Sequence, residues 1–148
     1  MATGTYAGLS PVAPGTVGTI WGIVIAFFLS GSTVYTQGLT TIAVIFFAIA
    51  LSSQAVELFG EKDPPGIVCD EVAGVLVGFF LIPFSPFNAL LVFLLFRFFD
   101  ILKPYPANVI DERLKGGVSI VLDDCVAGVY TNICAFIVIW ALGPTPIK

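Results

Sequence analysis

The chain has 148 residues, enough for one domain, but 57% are hydrophobic, 11% are charged and the mean hydropathy is +1.02. With 14 Phe, 4 Tyr and 2 Trp against 6 Lys+Arg and 10 Asp+Glu, there is too little polar surface to coat a globule, so much of the chain must face lipid; disorder is excluded too. A net charge of −4 rules out the basic stripe that nucleic acid requires.

Histidine is absent, which removes the Ser-His-Asp triad, His-ligated zinc and phosphohistidine intermediates and leaves carboxylate chemistry. Cys69, Cys125 and Cys134 form no C-x-x-C pair and read as packing residues. Cys69 and Cys125 each adjoin an Asp, a setting that discourages a reactive thiolate.

Residues 1 to 16 hold no Lys or Arg, so no charged n-region precedes the first apolar run and the apolar segments are read as retained. The segment from Gly8 to Thr19 is uncharged and rich in Gly and Pro. Its backbone N–H groups and Thr hydroxyls, including those at Gly15 and Thr16, are candidates to cradle an anion where a helix begins. It lacks the Gly-Lys-Ser/Thr of a P-loop.

Five apolar stretches follow, at about Val17–Ser30, Gly38–Leu58, Val72–Pro83, Ala89–Phe99 and Val126–Leu142. A helical crossing needs roughly 20 residues. The second and fifth stretches meet that length, and the others reach it only by including polar flanks. The expectation is an all-α, polytopic membrane bundle of four to five transmembrane or re-entrant helices, a single membrane-embedded domain over residues 1–148. If all five stretches cross, every carboxylate and five of the six basic residues share one face. Lys62, Lys103, Arg113 and Lys115 make that face cytoplasmic by the positive-inside rule.

One internal echo stands out: Asp70-Glu71-Val72-Ala73-Gly74 resembles Asp124-Cys125-Val126-Ala127-Gly128. Both open an apolar stretch, and a Gly four residues after Asp lies on the same helical face, where it admits a close neighbour. For a match this short, chance combined with Asp as a helix cap is the better explanation.

Asp70, Glu71, Asp100, Asp123 and Asp124 share the inferred face. Five gathered carboxylates need a cation or basic partners, and hard oxygen ligands favour Mg²⁺ or Mn²⁺ over zinc. Arg97, Asp100 and Lys103 recur every three residues in a Phe-rich run that Pro104 helps to end. An Arg among phenylalanines needs a counter-ion. Either Arg97 and Asp100 form a structural pair, or Arg97 and Lys103 supply the two positive groups that suit a phosphate ester.

Four blocks together resemble the phosphatidylglycerophosphatase A family: the Pro-x-Ala-Pro-Gly-Thr-x-Gly loop within Gly8–Thr19, Ile-Val-x-Asp-Glu-x-x-Gly within Asp63–Gly74, Phe-Arg-x-Phe-Asp-x-x-Lys-Pro-x-Pro at Phe96–Pro106, and Leu-Asp-Asp within Gly116–Gly128. Cys69, Tyr105 and Ser119 depart from the usual Trp, Trp and Gly, and none of the three removes a charge. The resemblance implies Mg²⁺-dependent removal of the terminal phosphate from phosphatidylglycerophosphate at the cytoplasmic leaflet of a bacterial inner membrane. Asp70, Glu71, Asp100, Asp123 and Asp124 would be the catalytic and metal-binding residues. Arg97, Lys103, Gly15 and Thr16 would bind substrate. Whether water or a carboxylate attacks phosphorus is left open, as is the oligomeric state. A reading from a different class is a small cation-binding transporter or channel subunit, which would place polar breaks near mid-membrane.

Overall fold

The computed structural model describes residues 14–60, 67–114 and 116–143. Six helices follow in order: α1 (Pro14–Leu29), α2 (Val34–Phe59), α3 (Cys69–Phe79), α4 (Pro86–Leu102), α5 (Ala107–Arg113) and α6 (Gly117–Ala141), with no strand among the described residues. The all-α expectation holds. The segments Gly8–Ala13 and Asp63–Gly66 of the family blocks, and the basic residues Lys62 and Lys115, lie outside the described residues.

Local chemistry sets the helix ends. Thr33 caps α2 by accepting the Thr36 N–H, and α2 stops at Gly60 in the left-handed conformation. Ser85 caps α4 by accepting the Asn88 N–H with Pro86 just inside, and Lys103 ends α4 at φ 44°. The third apolar stretch yields a helix of only 11 residues, because the chain turns at Leu81 with φ 63° ahead of Pro83. The amphipathic α5 was not anticipated. It fills the charged connection between α4 and α6.

Among the described residues, two helices are long and apolar enough to cross a membrane: α2, with a mean hydropathy of 2.0 and 17% of its most apolar window buried, and α6, with 1.6 and 28%. A soluble core helix of that composition would be covered. Here the apolar side chains lie outside, including Phe46, Phe47, Ile133 and Ile137, which is the surface a bilayer requires. The shorter α1 is apolar as well.

The pair α3 and α6 forms the centre. An offset of 54 residues separates Gly78 from Asn132, whose amide donates to Gly78 O at 3.0 Å. The same offset separates Gly74 from Gly128 and Asp70 from Asp124. The two helices therefore run parallel and in register. A Cβ on Gly74 would stand 2.7 Å from Asp124 O, and one on Gly128 would collide with Gly74 O. Only glycine allows backbones this close. The echoed Asp-x-x-x-Gly segments are thus partners in one interface. Asn132 also donates to Phe80 O at 2.7 Å, satisfying carbonyls at the end of α3.

Helix α2 lies antiparallel on one side of this pair. Its early residues Gly38 and Thr41 sit near Val77, Phe80 and Asn132, and its later Ser52 meets Cys69 at 3.5 Å. Helices α1 and α4 cover the other side, where Phe96, Val75, Val92 and Ala127 are buried in one core. Two buried threonine hydroxyls bond within their own helices, Thr131 to Ala127 O at 2.8 Å and Thr19 to Gly15 O at 2.7 Å, which keeps them satisfied in apolar surroundings.

Gly128→Leu should force α3 and α6 apart, with a cost of about 2–3 kcal/mol or more from overpacking. Thermal melting in detergent should register a fall of several degrees. Gly31→Ala, where a Cβ meets nothing within 4 Å, should change stability by less than about 0.5 kcal/mol. An unchanged melt for Gly128→Leu would remove the central contact from this account.

Candidate active site

The start of α3, the first third of α6, the end of α4 and the start of α1 meet at one end of the bundle. Because Gly74 and Gly128 allow contact, Asp70 and Asp124 face one another one turn earlier, and Glu71 joins them. Asp70, Glu71 and Asp124 each present an oxygen within 4.8 Å of the others'. Asp70 and Asp124 are buried, and Glu71 is half-buried. Among the described residues, the buried atoms Glu71 Oε2 and Asp124 Oδ2 accept no hydrogen bond. Three carboxylates so placed repel one another and coexist as anions only with a cation between them. The donor set, all oxygen and without histidine or thiolate, fits a hard divalent ion.

The remaining two expected acids lie beside this group and have basic partners. Asp100 pairs with Arg97, Oδ2 to Nη1 at 2.5 Å. Asp123 accepts from Lys103 Nζ at 2.6 Å, and its other oxygen accepts the Asp124 N–H at 3.0 Å. Both act beside the three-carboxylate group: Asp100 holds a guanidinium, and Asp123 braces the backbone that carries Asp124. Burial alone would favour a neutral Lys103 amine, but the hydrogen bond and charge of Asp123, then those of Asp111, hold its pKa above the ordinary lysine range. The ammonium therefore stays charged.

Gly15 lies between Arg97 and the acids. A Cβ there would lie 2.7 Å from Glu71 Oε1 and 2.8 Å from Arg97 Nη1. The first turn of α1 thus opens onto both groups, with N–H donors that no helical carbonyl reaches. Thr16 follows in that turn, half-buried. Thr19 turns its hydroxyl back to Gly15 O.

Sequence reasoning missed two features. Gly18 and Gly22 continue the Gly15 face and receive Val68, just ahead of α3, and Glu71 and Val75 within it, a small-residue spacing legible in α1 but overshadowed by the anion-loop reading. Asp111 is the second carboxylate on Lys103, at 3.4 Å; no spacing rule joins residues across the turn from Pro104 to Pro106.

A buried acidic cluster with paired cations beside it, at one end of a helical bundle whose apolar side chains lie outside, marks a helical membrane protein with an acidic site. The sequence matches the family described as phosphatidylglycerophosphatase A over residues 1–139. The chain belongs to that family and is a phosphatase. It is 36% identical over 138 residues to a phosphatidylglycerophosphatase A of Haemophilus influenzae, covering 92% of this chain and 85% of that one. It is 31% identical over 130 residues to the phosphatidylglycerophosphatase A of Escherichia coli, covering 87% and 76%. A Bacteroides thetaiotaomicron protein named "Putative phosphatidylinositol-3-phosphatase" is 33% identical over 150 residues, covering 97% and 94%. No solved structure matches the chain. Family membership displaces the transporter alternative.

Gly15→Ala presses only on the far ends of two flexible side chains, so the fold should survive, with a melting shift of about 2 °C or less. Displacing Glu71 and Arg97 together should lower kcat/KM by about 10- to 100-fold. Wild-type turnover from a folded Gly15→Ala protein would show that neither group needs its present position.

Proposed function

We propose that the protein removes the terminal phosphate of phosphatidylglycerophosphate, releasing phosphatidylglycerol, in a Mg²⁺-dependent reaction at the cytoplasmic face of a bacterial inner membrane. The observation that carries this reading is the convergence of Asp70, Glu71 and Asp124 beside Arg97 and the first turn of α1, in a chain whose relatives include proteins named for that reaction.

Asp70, Glu71 and Asp124 would hold Mg²⁺, with the two unbonded buried oxygens of Glu71 and Asp124 as its natural ligands. When bound, the ion supplies charge neutralisation and polarisation of phosphoryl oxygens. Arg97, held by Asp100, presents its guanidinium to the transferring phosphoryl group, and the N–H groups of Gly15 and Thr16 offer donors that need not reorganise. Asp123 fixes the Asp124 backbone and Lys103 together. The site faces the cytoplasm because the charged residues gather at this end of the bundle, multi-pass through α2 and α6 with the shorter helices between them. The whole chain then acts as a single membrane-embedded phosphatase unit.

Purified protein in detergent should release phosphate from phosphatidylglycerophosphate, lose turnover in excess chelator and regain it with Mg²⁺, whereas zinc should substitute poorly. Asp70→Asn and Asp124→Asn should raise the Mg²⁺ concentration needed by about 10- to 100-fold. Arg97→Gln, checked for folding, should instead lower kcat/KM at saturating Mg²⁺ by about 10²–10³. Full activity in chelator would refute the metal, and wild-type turnover by folded Arg97→Gln would reduce Arg97 to a structural partner of Asp100.

For orientation, single cysteines at Ser32 or Ser85 in a cysteine-free background should react with an external impermeant label, and one at Asn108 on α5 should stay protected in intact cells. External labelling at Asn108 would overturn the cytoplasmic assignment.

A further inference from the structure

Two cations serve this end of the bundle, in different settings. Arg97 lies inward, beside Gly15 and Glu71, with its side chain 23% exposed. Lys103 is 37% exposed and lies six residues further along α4, about 9 Å by helical rise. Its ammonium is clamped by Asp123 Oδ2 at 2.6 Å and Asp111 Oδ2 at 3.4 Å. Asp111 reaches it because the chain folds back after Pro104 and because Ser119 Oγ donates to Ile110 O at 3.1 Å, fastening α5 to α6. An ammonium has three donors. Two carboxylates hold it, and the side chain stays 37% exposed, which leaves room for a further acceptor.

The proposed substrate carries two anionic phosphates. Its monoester is cleaved, whereas its phosphodiester keeps its charge throughout. We propose that Asp111 is a positioning residue that, with Asp123, holds the Lys103 ammonium at the rim of the site to receive the substrate's phosphodiester. This rests on the function proposed above and assigns the inner cation to the cleaved group and the rim cation to the retained one. Because the diester is the same in ground and transition states, its contact is uniform binding and appears in KM rather than kcat.

The test uses the full chain in detergent with Mg²⁺ and phosphatidylglycerophosphate, with phosphatidylglycerol and inorganic phosphate as inhibitors. Phosphatidylglycerol retains only the diester, and inorganic phosphate mimics only the cleaved group. Asp111→Ala should raise KM by about 5- to 20-fold with kcat within about twofold. It should weaken phosphatidylglycerol inhibition by the same factor and leave phosphate inhibition unchanged. Asp111→Glu should restore KM. If Asp111→Ala melts well below the parent, Asp111→Asn, which keeps the shape, takes its place in the same measurements. An unchanged KM, a loss confined to kcat, absent phosphatidylglycerol inhibition of the parent, or equal weakening by both inhibitors would overturn the proposal. A parent protein that releases no phosphate from the lipid would instead overturn the function on which it rests.

Discussion

The backbone contact between Gly74 and Gly128 governs everything at the charged end of the bundle. A helix pair in lipid gains nothing from hiding apolar side chains from water, so association depends on close packing and on polar groups finding partners. Glycine at the crossing supplies the first, and Asn132 on the carbonyls of Gly78 and Phe80 supplies the second. With the register fixed at those points, Asp70 and Asp124 have no freedom to separate. The carboxylate cluster follows from the packing, and the repulsion inside it is held by interactions made well away from it.

That arrangement explains why the acids divide as they do. A cation near every carboxylate would neutralise the cluster and leave no demand for a metal. Instead Arg97 is taken by Asp100 and Lys103 by Asp123 and Asp111. Asp70, Glu71 and Asp124 converge as a group, each with an oxygen within 4.8 Å of the others'. Pairing also restrains the cations: a buried or half-buried guanidinium held by one carboxylate has lost most of its rotamer freedom before any ligand arrives.

Much of this was legible in the sequence. Composition fixed the class, because so few charges cannot coat a soluble surface. The Asp-x-x-x-Gly echo marked a close helix approach on each segment without saying that the two pack on one another, and the three-residue spacing of Arg97 and Asp100 left their ion pair as one of two readings. What periodicity could not supply was which acids meet across helices. Asp123 and Asp124 are neighbours in sequence, yet successive helical residues point about 100° apart, so one turns to Lys103 and the other to Glu71. Helix α5 was equally hidden. Seven residues carry too little pattern to separate a helix from a charged loop.

Asp111 shows where such reading stops and why structure adds to it. Its role depends on a reversal of the chain after Pro104 and on a hydroxyl of α6 reaching a carbonyl of α5, neither of which is encoded by spacing along one helix. The same reversal keeps Lys103 at the end of α4, where a left-handed backbone turns the chain out of the helix, rather than inside the apolar run where an ammonium would be costly. The two cations thus differ in depth because one precedes the helix end and the other forms it. The two positive groups at this end of the bundle therefore differ in position as well as in exposure, Arg97 at 23% and Lys103 at 37%.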